Sequence, residues 1–213
     1  RTPKEPELRD ETIDGFLDKL AARAPVPGGG ATAALHAAQA AALLGMTARY
    51  TCGPRYADHA DTIRMITTEA DRLRSASADL IALDGAAFGA VAAAYRLPKD
   101  TDEQRSERAA AIAAAMVTAS SPPAELIGIG GRLLELAEAL RPIVNPAVAG
   151  DVAAAVEAIR AAVATSRLNV AANLAGVTDA AARARLTAVI GVVDELEERA
   201  ARLTAAARAG FAG

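Results

Sequence analysis

The stretch from Ala31 to Ala48 carries no charged side chain and is rich in alanine, the residue with the highest helix propensity. It predicts a helix from about Ala31 to Tyr50 that is buried among other helices. Gly28, Gly29 and Gly30 directly precede it, although glycine is costly in backbone entropy. Either these glycines let a ligand reach the unpaired N–H groups at the positive end of the helix, or they let two helices approach closely.

The composition of the whole chain favours an all-α fold. Hydrophobic residues make up 52% of the 213 residues, with alanine supplying most of that fraction, and aromatic residues only 3%. No segment has the alternation of a strand, and proline or glycine interrupts the helical patterns at short intervals. We therefore expect an antiparallel bundle of long helices in a single domain over residues 9–213, preceded by a disordered N-terminal tail, residues 1–8. The expected helices cover about 12–22, 31–50, 57–95, 101–140 with a kink or restart at Pro122-Pro123, 147–175 and 179–208.

Charge and cysteine content limit the partners and the compartment. The net charge is −3 and no basic stripe is interleaved with aromatic residues, which argues against nucleic acid. The single Cys52 suits a reducing compartment, and residues 1–11 are too charged for a secretory signal. Polar residues within 31–48 favour a buried helix over a membrane span. We expect a cytoplasmic protein with no membrane partner, and a homodimer, because alanine buries little surface and leaves a monomer with a thin core.

The residue types present restrict the possible chemistry. With only His36, His59 and Cys52, a His/Cys zinc site is excluded and a Ser-His-Asp relay is improbable. The chain has no P-loop and no dinucleotide fingerprint after a strand. His36 is more typical of a core residue than of a catalytic one. An enzyme of this sequence would therefore use carboxylates, amides, arginine, lysine and backbone dipoles, and we expect no metal.

Asp84 is the most unusual acid in the chain, because it lies mid-helix among apolar and very small residues. Burial would raise the pKa of its carboxyl toward the range useful for proton transfer at neutral pH. The alternative is a structural acid that pairs with an arginine of a neighbouring helix.

Further polar candidates lie near helix ends and in one helix interior. Asn169 and Asn173 are one turn apart on one face, where two amides could hold a planar heterocycle or could bond between helices in the core. Asn145 and Asp151 flank a helix start, where capping is the common role. Lys99 follows Leu97-Pro98 on a loop, as a surface lysine or a contact for an acidic ligand.

Five motifs in order resemble a known family. They are Pro27-Gly28-Gly29-Gly30, Asp84-x-x-Ala87-Phe88, Leu97-Pro98-Lys99-x-Thr101-x-Glu103-x-x-x-x-Arg108, Asn145-x5-Asp151 and Asn169-Val170-x-x-Asn173-Leu174. Over about residues 12–205 the chain resembles the cyclodeaminase/cyclohydrolase family, the cyclodeaminase part of formiminotransferase-cyclodeaminase and its stand-alone bacterial relatives.

The resemblance implies an all-helical subunit that dimerises, with a folate site in or near the interface. It implies a lyase or hydrolase of one-carbon metabolism. The reaction would be either closure of 5-formimidoyltetrahydrofolate to 5,10-methenyltetrahydrofolate with loss of ammonia, or hydrolysis of that bridge to 10-formyltetrahydrofolate. The family's catalytic aspartate corresponds to Asp84, and no cofactor beyond the tetrahydrofolate substrate is implied. With the resemblance, the expected folate-binding residues are Gly28, Gly29, Gly30, Arg55, Lys99, Asn145, Asp151, Asn169 and Asn173.

The chain departs from the family pattern at three places. Ala31-Thr32 follows the glycines where serine is usual, Arg55 replaces a lysine, and Ala82 stands where a second acid is common. These departures keep two alternatives open, a same-fold enzyme for a non-folate cyclic amidine or formimino compound and a non-catalytic helical dimer that binds a small ligand. The sequence does not separate cyclodeaminase from cyclohydrolase.

Overall fold

The computed structural model describes residues 8–211, without the side chains of Arg9, Gly210 and Phe211. It is 85% helical, and no strand occurs in this part of the chain, which confirms the all-α prediction. The α-helices are α1 (Ile13–Ala21), α2 (Gly29–Tyr50), α3 (Ala60–Tyr95), α4 (Asp102–Ala119), α5 (Ser121–Leu140), α6 (Ala149–Leu174), α7 (Ala180–Gly191) and α8 (Val193–Phe211). Short 3-10 turns cover Leu8–Asp10, Pro54–His59 and Pro146–Val148. Of the predicted tail, residues 1–7 lie outside the described residues, and Leu8 belongs to the first turn.

Helix α2 is the centre of the bundle. It packs against α3, α5 and α6, and its alanines at positions such as 33, 34, 37 and 40 are fully buried. Because alanine has a side chain of one carbon, neighbouring helices can approach α2 closely on several sides. The largest buried side chains come mainly from α5 and α6, including Leu133, Leu134, Ile159 and Val163.

Helix starts follow local capping chemistry. The Thr12 hydroxyl accepts the N–H of Gly15 at the start of α1. At α4, Thr101 and Gln104 form a reciprocal capping box. Asp179 caps α7 by accepting the N–H of Ala182.

Two predicted boundaries are wrong, at the start of α2 and within the last predicted helix, and the choice left open at Pro122-Pro123 is resolved. Helix α2 begins at Gly29, so Gly29 and Gly30 lie inside its first turn. At Pro122-Pro123 the chain restarts, because prolines fit the first turn of α5, where no N–H partner is needed. The last predicted helix is two helices, α7 and α8, since Leu186 packs in a small cluster with Val170 whereas Val193 packs in the main core.

The C-terminal half of α3 is poorly covered. Residues 85–95 carry no charge, yet Ala86, Gly89, Ala90 and Ala93 are exposed. Helix α4 packs beside this half, and only Ala119 of α4 is buried. By length and composition alone, the helical stretches 54–95 and 102–140 are apolar enough to cross a membrane, a property that core helices of soluble proteins share. The expectation of no membrane partner stays a prediction.

Candidate active site

A cavity of about 450 Å³ lies at the N-terminus of α2, where α3 and α6 pass beside it. Its walls include six of the residues singled out from the sequence, which come from three separate segments of the chain. These residues are Gly28, Gly29, Gly30, Asp84, Asn169 and Asn173.

Gly30 allows Asp84 to lie directly against the backbone of α2. A Cβ atom built on Gly30 would come within 1.9 Å of Asp84 Oδ1, far closer than any real contact. The backbone N–H of Ala31 donates a hydrogen bond to the Asp84 carboxylate. An acid from α3 thus accepts one of the otherwise unpaired N–H groups of α2. The glycine at position 30 therefore serves the close approach of two helices, and it does so at the mouth of the cavity.

The surroundings of Asp84 make its carboxyl a weaker acid than an exposed aspartate. Burial raises the pKa of its carboxyl above the ordinary value, and the hydrogen bond from Ala31 opposes this change more weakly. No charged group contributes to the shift, and no described arginine forms an ion pair with Asp84. The alternative of a structural Asp–Arg pair therefore has no support in this part of the chain.

Asn169 lies over the next glycine. A Cβ on Gly29 would meet Asn169 Oδ1 at 3.5 Å, an ordinary contact distance. The Asn169 Nδ2 atom is buried and has no hydrogen-bond partner. The same is true of the Ser166 Oγ atom, one turn earlier on α6. An unpaired buried amide is costly, so such a group beside a cavity is suited to donate to a ligand acceptor. Asn173 lines the same wall one turn further along α6.

The opposite wall is apolar and carries two aromatic side chains. Phe88 is 46% exposed and Tyr95 is 50% exposed, so neither is a core residue. Val91 lies between them, and Met116 of α4 contributes to the lining. The sequence analysis missed Tyr95 and Met116 as lining residues, although Tyr95 shares the helix face of Asp84 and Phe88 at helical spacing.

The structure does not bring the other four predicted residues to this cavity. Arg55 is exposed, with its guanidinium 5.7 Å from the Tyr56 ring centre, and Lys99 is exposed on the loop before α4. Asn145 accepts the N–H of Ala147 and donates to the Tyr50 carbonyl, which is a capping geometry. Asp151 is half-buried in the first turn of α6. A folate-binding role for any of the four stays a prediction.

A second cavity, of about 350 Å³, lies between the α5–α6 connection and α8. Its lining is mostly alanine, valine and proline, with Arg141 as its one titratable side chain, and it includes none of the predicted site residues. Within the described residues, no group of three or more His, Cys, Asp or Glu side chains is placed to hold a metal ion. The proton-transfer candidate thus belongs to the first cavity.

Comparison with known proteins agrees with the motif order. The family model described as formiminotransferase-cyclodeaminase matches residues 12–191, which is most of the chain. The chain belongs to the formiminotransferase-cyclodeaminase family. This match includes the cavity and every residue predicted to bind folate.

The chain is similar to two relatives that are named for different activities. The methenyltetrahydrofolate cyclohydrolase of Methylorubrum extorquens is 37% identical over 188 residues, covering 87% of this chain and 90% of that protein. The mouse formimidoyltransferase-cyclodeaminase is 33% identical over 176 residues, covering 82% of this chain but 32% of the mouse protein. Among solved structures, the formiminotetrahydrofolate cyclodeaminase of Thermotoga maritima has a TM-score of 0.85 at 24% identity, over 97% of this chain and 100% of that one. This last likeness establishes the shared fold.

Proposed function

We propose that the protein acts at the one-carbon bridge between N5 and N10 of tetrahydrofolate, with Asp84 as general acid and base. The observation that carries the proposal is the Asp84 carboxyl, set against the N-terminus of α2 in a cavity that Asn169 also lines. The favoured reaction is hydrolysis of 5,10-methenyltetrahydrofolate, because the relative that matches over 90% of its own length is named as that cyclohydrolase.

In the hydrolysis, water attacks the bridge carbon while the Asp84 carboxylate accepts a proton from that water. The resulting tetrahedral carbon carries a hydroxyl group. It then loses its bond to N5 as Asp84 returns the first proton to N5 and the hydroxyl proton leaves to solvent, which gives 10-formyltetrahydrofolate and one released proton. A positioned acid-base group of this kind contributes roughly 10²–10⁴-fold to the rate. Since the methenyl bridge is cationic, the ionised Asp84 also stabilises it electrostatically.

The second candidate is cyclodeamination of 5-formimidoyltetrahydrofolate. Its support is the sequence match to the mouse formimidoyltransferase-cyclodeaminase. The matched segment is about one third of the mouse protein. Here N10 attacks the formimino carbon, Asp84 takes the N10 proton, and the proton passes to the departing ammonia. Both reactions use the same carboxyl in the same position.

Asn169 completes the proposed site by donating its free Nδ2 hydrogens to an acceptor of the pterin, with Asn173 beside it. Gly28 has open space around its Cβ position and would let the substrate lie close to the backbone at the start of α2, whereas Gly29 and Gly30 border the site beside Asn169 and Asp84. Arg55 and Lys99 remain candidates for contacts to the glutamate tail or the pterin carbonyl, and Asn145 and Asp151 remain candidate folate contacts. They would take these roles only if the site is shared between subunits or if the loops move. We expect no cofactor other than the folate itself.

The decisive experiment compares Asp84→Asn with Asp61→Asn, a matched substitution at an exposed position of α3. The decay of methenyltetrahydrofolate is followed spectrophotometrically, and its formation from formimidoyltetrahydrofolate tests the second candidate. Asp84→Asn is expected to lose 10²–10⁴-fold in kcat and to keep its affinity for folinic acid, whereas Asp61→Asn retains wild-type rates. Equal rates for the two variants would remove Asp84 from the mechanism.

A binding measurement separates the folate proposal from the alternatives. Calorimetry with folinic acid is expected to give binding to the wild-type protein. A protein that binds no folinic acid at millimolar concentration would instead favour a non-folate amidine as substrate or a non-catalytic ligand-binding dimer.

We further propose a homodimer in the cytoplasm. The dimer is supported by the charge-free surface of α3, where Leu83, Ala86, Ala90 and Ala93 are exposed on one side of the helix. An exposed apolar stretch of this length is unusual on a monomer surface. A reducing compartment suits Cys52, which is a free and exposed thiol.

A further inference from the structure

The cavity extends well beyond the groups assigned to the chemistry. Asp84, Phe88 and Tyr95 lie on one face of α3, and Tyr95 is eleven residues, or about 16 Å of helix, from Asp84. Phe88 lies one turn from Asp84, next to the reacting end. Tyr95 is thus a lining residue that is too far along the helix to contact the reacting carbon.

Arg108 of α4 contacts both the ring and the backbone of Tyr95. The Arg108 guanidinium of α4 lies 5.4 Å from the centre of the Tyr95 ring, and its Nε and Nη2 atoms donate to the Tyr95 carbonyl at 3.3 and 3.0 Å. A cation over one ring face and two hydrogen bonds to the backbone fix both the helix end and the ring. The hydrogen bonds satisfy a carbonyl at the C-terminus of α3, and the guanidinium over the ring fixes the side chain as well.

Arg108 does not line the cavity itself, but it places a positive charge beside Tyr95, which does. No ion pair joins it to a carboxylate anywhere in the part of the chain that the structure describes. An aromatic ring beside an unneutralised guanidinium is complementary to a ligand that carries an aryl ring followed by carboxylates.

We propose that Tyr95 is the contact for the aryl ring of the folate side chain, with Arg108 as its positioning residue and as a charge near the terminal carboxylates. The inference rests on the proposed function, in which Asp84 faces the one-carbon bridge. The aryl group is bonded to N10 and extends away from the bridge, and the cavity wall that continues from Asp84 along α3 to Tyr95 offers it a path. Tyr95 thereby favours complete folates over pterins that lack the arylamine.

The test measures the binding of two ligands to the wild-type protein and to two variants of Tyr95. Tyr95→Ala is expected to weaken binding of folinic acid about tenfold and to raise KM for methenyltetrahydrofolate similarly, with kcat within twofold. Binding of 6-methyltetrahydropterin, which has no aryl group, is expected to stay unchanged. Tyr95→Phe keeps the ring and is expected to match the wild type for both ligands.

The Arg108 variants test positioning separately. Arg108→Gln is expected to raise KM for methenyltetrahydrofolate several-fold, and Arg108→Lys to recover part of that loss by restoring the charge. If Tyr95 and Arg108 only hold the end of α3, Tyr95→Ala lowers the melting temperature without changing the ratio of the two ligand affinities, which overturns the inference. A wild-type protein with no folate binding or turnover would instead overturn the proposed function itself.

Discussion

Both the packing of α2 on α3 and the position of Asp84 depend on the absence of a Cβ atom at Gly30. Because a Cβ there would occupy the position of Asp84 Oδ1, alanine must displace the carboxyl or separate α2 from α3. Gly30→Ala is expected to destabilise the fold by about 1–3 kcal/mol and to lower turnover by about 10²-fold. Urea denaturation and the methenyltetrahydrofolate assay measure the two effects.

Gly128→Ala is the matched control, since Gly128 is an exposed glycine within α5 with open space around its Cβ position. There alanine is expected to stabilise the helix by about 0.5–1 kcal/mol and to leave turnover unchanged. Wild-type turnover in Gly30→Ala would contradict the close contact between Asp84 and α2.

At the residue scale, the sequence predicted the polar part of the cavity better than its apolar part. Asp84 and Asn169 stand out in the sequence because burying a polar side chain in an apolar helix costs free energy unless it has a partner or a function. Tyr95 carries no such signal, since an aromatic residue near a helix end is common in any bundle. The pairing of Gly30 with Asp84 was also inaccessible, because it depends on how α3 crosses α2 in three dimensions.

At the scale of the elements, the packing of α5 on α6 depends on a similar small residue. A Cβ on Gly130 would lie 2.2 Å from Val163 Cγ1, and both residues are buried in the main core. Gly130→Ala is expected to cost about 1–3 kcal/mol of stability, and Val163→Ala a comparable amount through the cavity it leaves.

The double variant tests whether these two side chains are truly in contact. Gly130→Ala with Val163→Ala is expected to be less destabilised than the sum of the single variants by about 1 kcal/mol or more, because the new methyl fills the vacated space. Denaturant titrations of the four proteins give this coupling, and strictly additive values would contradict the packing.

The helix boundaries illustrate which element features are local. The Thr101 cap and the proline restart before α5 follow from backbone chemistry within a few residues, so the sequence predicts or admits both. The break between α7 and α8 has a weaker marker, Gly191 at the end of α7, because Val192 keeps helical backbone angles and the two helices differ mainly in which core they pack against. Tertiary packing determined that break, and periodicity alone predicted one helix.

At the scale of the whole molecule, an alanine-rich core makes burial between subunits valuable. Alanine lets α2 contact three helices at once but contributes little apolar area per residue. Within the described residues, the uncharged, exposed side of α3 is the surface best suited to contact a second subunit, since such a contact would bury its apolar side chains. The same helix carries Asp84 and Tyr95 on its other side, so a dimer contact along α3 would also stiffen the cavity wall.

Ala90→Glu tests this arrangement, because Ala90 is exposed near the middle of that side and glutamate is a good helix former. The wild-type protein is expected to be a dimer by light scattering after size-exclusion chromatography. Ala90→Glu is expected to raise the dimer dissociation constant by at least about tenfold, since two buried like charges would face each other across a two-fold axis.

Ala201→Glu, at an exposed position of α8, is the matched control and is expected to remain dimeric. A monomeric wild type would contradict the dimer, and an unaffected Ala90→Glu dimer would exclude this side of α3 as its interface.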